Sequence, residues 1–529
     1  MSKVTRYLNR HLTGNVFDKR SIREAYMSDR SLLYTVPRLV AIPETTTDLR
    51  KIMRFSHQLA KRNFRLPITV RGGGNDKTGA AIGSGMLISM EKMNHIQEID
   101  VRNRLVRVQA GITLGELNTA LSVHGLTLPI AGHEKNTIGG LIANCPSDDY
   151  AGKYGGIFRC VEQIEVVLSN SNLLQTEILH ERNLEKRKTE ESAFVSKIYN
   201  DVDELLDQYK SIISDLARKD LDSSGYSTIA LVRKNKTFDL LPLFFNSQGT
   251  LGIISEVILH VVPLSAEQRH IMITSRNVRP VMGLLRYIQT KFNPLTLNIY
   301  DSQIFREAIK NGNQSRLFVR EPRGDLVIIA SFDHSAWRNR RIMKKIVEAL
   351  PRNTRAIVED DNNAGDFQDL NAMLTSYLND CKYGERVPVV DDVRIEPTQL
   401  ANFISDVKKL GRLMHVDTSV YGSFIANNYS VRPEIPLSSS AGRHLSMQFL
   451  RDYTKLVEKH HGSITGGGPE GGTKALVVHF TEEQKQLYGA IKDLFDPKNI
   501  LNPHIKLGAN PITSIRRLRN FYNRRIIEP

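Results

Sequence analysis

Short apolar runs separated by turn residues dominate the first third of the chain. LVAIP (39–43), PITV (67–70), MLISM (86–90), RLVRVQAG (104–111) and EQIEVVLSN (162–170) are rich in β-branched and aliphatic residues and read as strands. Between them, TTTDLRKIMRFSHQLAKR (45–62) carries Leu49, Ile52, Met53 and Leu59 at helical spacing, with Thr47 as its expected N-cap. LGELNTALSVHG (114–125) predicts a second helix that stops at Gly125. Residues 177–240 are charge-rich and helical, after which LFFNSQGTLGIISEVILHVVP (243–263) returns to strand. A second region begins near 265: HIMITS, a helix to Phe292, TLNIY, DLVIIASF and a helix around RRIMKKIVEAL, the order of a split β-α-β, ferredoxin-like module. The alternation predicts an α+β protein and not a clean doubly wound sheet. Its expected parts are an N-terminal extension (1–36), a first domain (37–264) with the helical insertion, a second domain (265–470), a C-terminal segment (471–510) and a basic tail (511–529).

At 529 residues, 40% hydrophobic and 24% charged, the composition is that of a soluble globular chain with room for two or three domains. No apolar run approaches the roughly 18 residues of a membrane span, and the basic N-terminus lacks the apolar stretch of a secretory signal. Three widely spaced cysteines, Cys145, Cys160 and Cys381, argue against a disulfide framework or zinc site and for a reducing, cytoplasmic setting. The net charge of +15 comes with no nucleic-acid-binding motif. It does come with a tail, residues 514–527, in which Ile515, Leu518, Tyr522 and Ile526 alternate with five arginines. That pattern predicts a surface helix suited to anionic lipid at the inner face of a membrane, or to a protein partner.

Three glycine-bearing segments follow or precede strands: VRGGGNDKTGAA (70–81), NTIGGLIANC (136–145) and NSQGTLGIISE (246–256). Glycines let backbone N–H groups converge on an anion without a lysine, so three such segments together point to a large cofactor bearing a pyrophosphate. The spacing is neither GxGxxG nor GxxxxGK[ST], which argues against a Rossmann or Walker site.

In this order, and with FDPKNILNPHIKLG near the end, the segments resemble FAD-linked oxidoreductases of the vanillyl-alcohol oxidase and p-cresol methylhydroxylase type. The likeness is strongest to the branch of D-lactate dehydrogenase and the FAD subunit of glycolate oxidase. The resemblance implies an FAD-binding domain over 37–264, a substrate-capping domain over 265–470 and a C-terminal segment that returns to the flavin. It implies a diphosphate loop at Arg71, Gly72, Gly73, Gly74, Asn75, Lys77 and Thr78. Further FAD contacts fall at Thr137, Ile138, Gly139, Gly140, Tyr154 and Gly155, then at Gly249, Thr250, Gly252, Ile253 and Ile254, with Asn502 near the flavin. Relatives that tether FAD place a histidine after the glycines; Asn75 implies non-covalent FAD, and Cys145 is expected to be a buried structural thiol.

The resemblance breaks on the substrate side. Ser423, Ser430, Gly467 and Gly468 stand where the metal-using branch has two histidine ligands, a glutamate ligand and a histidine base, so neither metal nor base is carried over. Replacement groups are sought in Tyr421, Tyr429 and His461 as proton acceptors and in Arg432 as a clamp for an acidic substrate. His460, Glu470, Arg394 and the pair Asp391 and Asp392 are further candidates nearby. The expected activity is oxidation of a 2-hydroxy acid or other small alcohol by hydride transfer to flavin, with electrons passed to an unspecified acceptor other than NAD. The alternative is a non-catalytic flavin-binding protein.

Overall fold

The computed structural model describes residues 2–218, 224–265, 267–310, 317, 326–379 and 386–519. Two sheets build the first half. The strands Asn15–Phe17, Leu39–Ile42, Met86–Ser89 and Ile68–Arg71 form a mixed sheet in that order, antiparallel at its first pair and parallel thereafter. The order Ile96–Asp100, Leu105–Gln109, Ile253–His260, Val161–Val167 and Leu173–Gln175 forms a wholly antiparallel second sheet. The helix Thr46–Lys61 buries Leu49, Ile52 and Met53 in the core between the two sheets. Its cap is Thr45, not Thr47: Thr45 is extended, and its hydroxyl accepts from Asp48 N at 3.1 Å. The helix Leu114–Ser122 begins with a reciprocal capping box between Thr113 and Glu116.

The N-terminal residues are stitched into this unit rather than appended to it. Asn15–Phe17 forms a sheet edge, and the Asp48 carboxylate accepts from Thr13 N at 2.9 Å and Gly14 N at 3.0 Å. The charge-rich stretch is helical over Glu181–Glu190, Ala193–Gln208 and Lys210–Arg218. Val195, Ile198, Tyr199, Val202 and Leu206 of its middle helix join the same core.

The second region is one antiparallel sheet of seven strands, ordered Thr354–Val358, Arg269–Ser275, Leu326–Phe332, Thr296–Asp301, Thr418–Ser423, Asn428–Pro433 and Val390–Arg394. The helices Val278–Phe292, Ala336–Glu348, Leu400–Leu413 and Ser440–Lys459 pack in one hydrophobic cluster, while Ser302–Lys310 and Ala364–Asn379 pack on the alternate strand positions. Alternating strand residues point to opposite faces, so both faces are covered.

After this sheet the chain goes back to the first unit. Leu487, Tyr488, Ile491 and Phe495 of the helix Glu482–Phe495 enter its core, and Leu501 bridges to Ile68 beside the glycine loop. The tail departs from expectation. Its helix spans Pro511–Arg516 and stops; Leu518 then bridges to Leu33, and Arg519 is buried, donating to Leu33 O at 3.0 Å and also to Asp29 O. Leu518 therefore faces the protein, while Tyr522 and Ile526 lie outside the described residues, as does Cys381. Among the described residues no helix is long and apolar enough to cross a membrane.

Candidate active site

The strand Ile68–Arg71 runs straight into the glycines, whose close fit explains their identity. A Cβ on Gly72 would lie 2.0 Å from Thr137 Oγ1 and one on Gly73 2.0 Å from Lys135 O, so the loop sits flush on the 135–137 segment. Gly74 takes φ +66° over the Arg71 guanidinium. The N–H groups of Gly73 and Gly74 have no acceptor among the described residues. The first turn of the helix Ile138–Asn144 is different: Ile138 N, Gly139 N and Gly140 N already donate to Ile112 O, Ala110 O and Thr137 Oγ1. Amides ready for an anion are thus in the triple glycine and not in that helix.

One cavity is lined by Gly72, Gly73, Gly74, Asn75, Lys77, Thr78, Thr137, Gly139, Gly140, Gly249, Gly252, Ile253 and Ile254. Three distant stretches of sequence therefore meet at one place. The other proposed FAD contacts stand behind its wall. Arg71 is buried beneath the loop and donates to Ser28 O at 2.8 Å; Ile138 is in the core; Thr250 Oγ1 bonds Tyr226 Oη at 2.7 Å. Asn502 knots the wall together, donating to Ala80 O and Gln248 O at 2.9 Å each. Tyr154 Oη donates to Asp333 at 3.1 Å, and Gly155 ends its short helix at φ +81°. Cys145 does not line the cavity, and burial pushes its thiol up to about 12.

Charged groups from both domains converge at the mouth of this cavity. Lys77 Nζ lies 3.1 Å from Asp391 Oδ2, and the same oxygen accepts from Arg432 Nη2 at 2.7 Å. Arg432 also donates to Tyr421 Oη from Nη2 at 3.2 Å and Nε at 3.4 Å. Asp391 Oδ1 is buried with no partner, while the residue lines the cavity. Burial would lower the Lys77 pKa, but its electrostatic interactions with Tyr421, Asp391 and Asp392 outweigh it and hold the ammonium charged well above the usual lysine range. Next to it, burial brings the Lys474 pKa down although Asp392 and Asp391 oppose the change.

The family's metal positions hold a hydrogen-bonded polar knot here. Ser430 Oγ accepts from Asp392 N at 3.0 Å and donates to Asp392 Oδ1 at 3.3 Å, and Lys474 Nζ donates to Asp392 O at 3.3 Å. Gly467 leaves room only for Asn428, whose Oδ1 would be 2.4 Å from a Cβ there. Among the described residues no three His, Cys, Asp or Glu side chains gather to hold a metal.

Of the three candidate proton acceptors, Tyr421 lines a second cavity described below, and Tyr429 and His461 line neither that cavity nor the glycine-lined one. Tyr429 is buried in its strand with Oη unpartnered, and His461 is exposed beyond the end of the helix Ser440–Lys459. Both are set apart from the site, which corrects their placement in it. His460 is structural, with Nε2 3.1 Å from Asp406 Oδ2. Glu470 is buried in an ion pair with Lys506 at 2.6 Å, and Arg394 lies 3.7 Å from Glu396. Arg432 is also corrected. Its guanidinium is committed to Asp391 and Tyr421 and lines neither cavity, whereas Lys77 lines both.

A second cavity, of about 970 Å³, opens on the other side of Lys77 between the first domain and the cap sheet. Tyr421, Tyr300, Asn298, Asp149 and Tyr150 line it. Sequence reasoning missed the last four, which lie in two segments that carry no glycine or histidine motif. Asp149 is raised above the usual carboxylate range by burial, and Tyr150 is pushed up to about 12 by the same cause.

The residues present fit FAD: three glycine-bearing segments line one cavity, with the unpaired amides of Gly73 and Gly74 suited to phosphate oxygens. A glycine-lined cofactor cleft in an α+β domain, faced by a sheet-based cap, defines a class of flavin oxidoreductases. The chain shares the domain pair and the fold of that class. Residues 37–177 match the FAD binding domain family, and residues 265–505 match the C-terminal domain of FAD linked oxidases. Similar proteins include a D-2-hydroxyglutarate dehydrogenase of Haemophilus influenzae, 24% identical over 523 residues that cover 93% of this chain and 50% of that protein. The chain spans about half the length of the D-2-hydroxyglutarate dehydrogenases it matches. A D-lactate dehydrogenase of Archaeoglobus fulgidus is 24% identical over 490 residues, 91% of this chain and 95% of its own length. Among solved structures, p-cresol methylhydroxylase with substrate bound shares the fold at a TM-score of 0.68 and 13% identity, over 94% of each chain. These proteins lend no support to the non-catalytic alternative.

Proposed function

We propose that the chain is an FAD-dependent dehydrogenase that oxidises a 2-hydroxy acid to the corresponding 2-oxo acid and passes the electrons to an acceptor other than NAD. Lys77 carries this reading, as a charged ammonium at the wall shared by the glycine-lined cavity and the cap cavity, with Tyr421 beside it. The amides of Gly73 and Gly74 would hold the FAD diphosphate, and the bound cofactor would supply the two-electron acceptor for the C2 hydride. Lys77 pairs with the substrate carboxylate, a role that Asp391 keeps in place by fixing the ammonium. Tyr421 Oη, acting as the phenolate, takes the hydroxyl proton; Arg432 fixes the position of that oxygen from behind and does not touch substrate. The similar proteins named as D-lactate and D-2-hydroxyglutarate dehydrogenases support the substrate class. Unpaired thiols at Cys145 and Cys160 suit a reducing, cytoplasmic setting.

The purified protein should be yellow and should give up its colour to the supernatant on acid precipitation. Under anaerobic conditions at least one 2-hydroxy acid should bleach the flavin. Tyr421→Phe should slow that bleaching about a hundredfold or more, the usual scale for a general base. A protein bleached by dithionite and by no hydroxy acid would remove the reading.

A further inference from the structure

We infer that the outer face of the helix Thr46–Lys61 docks the protein on an anionic lipid surface. Lys51, Arg54, Lys61, Arg62 and Arg65 are all exposed, and their spacing sets them along one side of that helix and its exit loop. None of the five has an acidic side chain within ion-pair distance among the described residues. Lys92 and Arg107, exposed cations of the same domain, are by contrast paired with Glu44 and Glu256. The sequence explains the bare charge: residues 1–17 and 49–75 contain no Asp or Glu. The adjoining acids are spent within the fold. Asp48 is buried on the amides of Thr13 and Gly14, and Asp18 Oδ2 accepts from Thr5 Oγ1 at 3.0 Å. The short helix Lys3–Asn9 joins alongside, its Tyr7 ring stacked on Phe55 at 5.6 Å between centroids, while Lys51 Nζ donates to His11 O at 2.6 Å. It adds exposed Arg6 and Tyr7, with Arg10 just past its end.

Charge alone would suit any polyanion; an exposed phenyl ring favours lipid. Phe64 is 69% exposed and stands between Arg62 and Arg65 where the helix ends. Its place is fixed by the backbone. Asn63 turns left-handed at φ +62°, Asn63 N donates to Ala60 O at 3.1 Å, and Phe64 N donates to Leu59 O at 3.0 Å, the bond pair that closes a helix C-terminus. An apolar ring held out among cations matches a bilayer, whose headgroup phosphates meet the charges while the acyl boundary takes the ring. Duplex nucleic acid supplies the phosphates but keeps its base faces stacked inside, and an acidic protein surface supplies carboxylates with no apolar layer beneath them.

The full-length protein should be sedimented with vesicles of phosphatidylcholine and with vesicles in which about a third of the lipid is phosphatidylglycerol. It should pellet with the anionic vesicles and not with the neutral ones, and should dissociate as salt is raised. Replacing Arg54, Lys61, Arg62 and Arg65 together by Gln should weaken the association at least about tenfold and leave the urea midpoint unchanged. The same loss of charge on the helix Ala336–Glu348, with Arg338, Arg341, Lys344 and Lys345 replaced by Gln, should weaken it less than about twofold. In a Trp337→Phe background, which removes the one native Trp, Phe64→Trp should shift its emission to the blue on anionic vesicles. Equal pelleting with neutral vesicles overturns the inference, as does an affinity that the first quadruple variant leaves unmoved or that the second lowers as far. An emission unchanged on bound vesicles also overturns it. Tighter binding to random-sequence duplex DNA or to polyglutamate than to the anionic vesicles does the same, and would make the partner a nucleic acid or an acidic protein.

Discussion

Asp148 shows how one carboxyl can tune the stability of the cavity wall. Its Oδ1 accepts from Ala131 N at 2.9 Å and Tyr150 N at 2.8 Å, while Oδ2 is buried with no partner. Burial pushes its pKa up to about 7, more than the two backbone donors can pull it down. The folded state thus holds a proton that the unfolded chain releases near pH 4. Stability from this group is fully present below about pH 4 and is lost as pH rises towards 7, a change on the order of 4 kcal/mol. Asp148→Asn should therefore raise the urea midpoint at pH 8 and flatten its decline between pH 5 and 7; an unchanged pH profile would contradict the buried-acid account. At this scale the sequence was a partial guide. Tyr421 and the triple glycine could be singled out because motifs surround them. Asp149, Asn298 and Tyr300 could not, because residues 149, 298 and 421 meet only through sheet pairing and domain packing, which local pattern does not encode.

Glu470 and Lys506 tie two elements of the chain together. They sit where the chain leaves the cap and again where it returns to the glycine loop, and they close a buried ion pair at 2.6 Å. Asn246 Nδ2 donates to Glu470 Oε2 at 3.3 Å, Gly225 N donates to Oε1, and Lys506 Nζ donates to Asn246 O at 2.9 Å. Removing one partner leaves a buried charge without compensation. Lys506→Met should therefore destabilise the protein by about 3–5 kcal/mol, and the double variant Glu470→Gln, Lys506→Met should recover most of the loss. Equilibrium unfolding of the three variants checks this; a single variant as stable as the wild type would show that the pair holds nothing. Most strands and the long helices could be read from hydrophobic spacing, since period-2 and period-3.6 patterns survive packing. Their pairing could not: the cap strands Thr296–Asp301 and Thr418–Ser423 are neighbours although over a hundred residues separate them.

At the scale of the whole molecule, residues 518–519 are bound to the segment 29–33, which gives the start of the basic tail a different meaning from the one its composition suggests. Arg519 reaches Asp29, with Nη2 3.9 Å from Oδ1 as well as bonded to the main-chain oxygen, and Leu518 is paired with Leu33. Asp29 is itself raised to about 7, first by burial and then by Asp76, with Arg519 as the opposing cation. Asp76 in turn caps the turn after the glycine loop, accepting from Thr78 N at 2.9 Å and Ala80 N at 2.8 Å. A contact at the tail is thus connected through two acids to the loop that would hold the FAD diphosphate. A chain ending at Pro511 should unfold at lower urea by several kcal/mol, the scale for stranding a buried carboxyl, and should release FAD at lower urea than the full chain. Arg519→Met should reproduce much of the loss without shortening the chain. Sedimentation with anionic vesicles supplies the contrast: equal pelleting of long and short chains accompanies the structural role. Lost pelleting with unchanged stability would return the arginines to the lipid surface and leave the contact between residues 518–519 and 29–33 without energetic consequence.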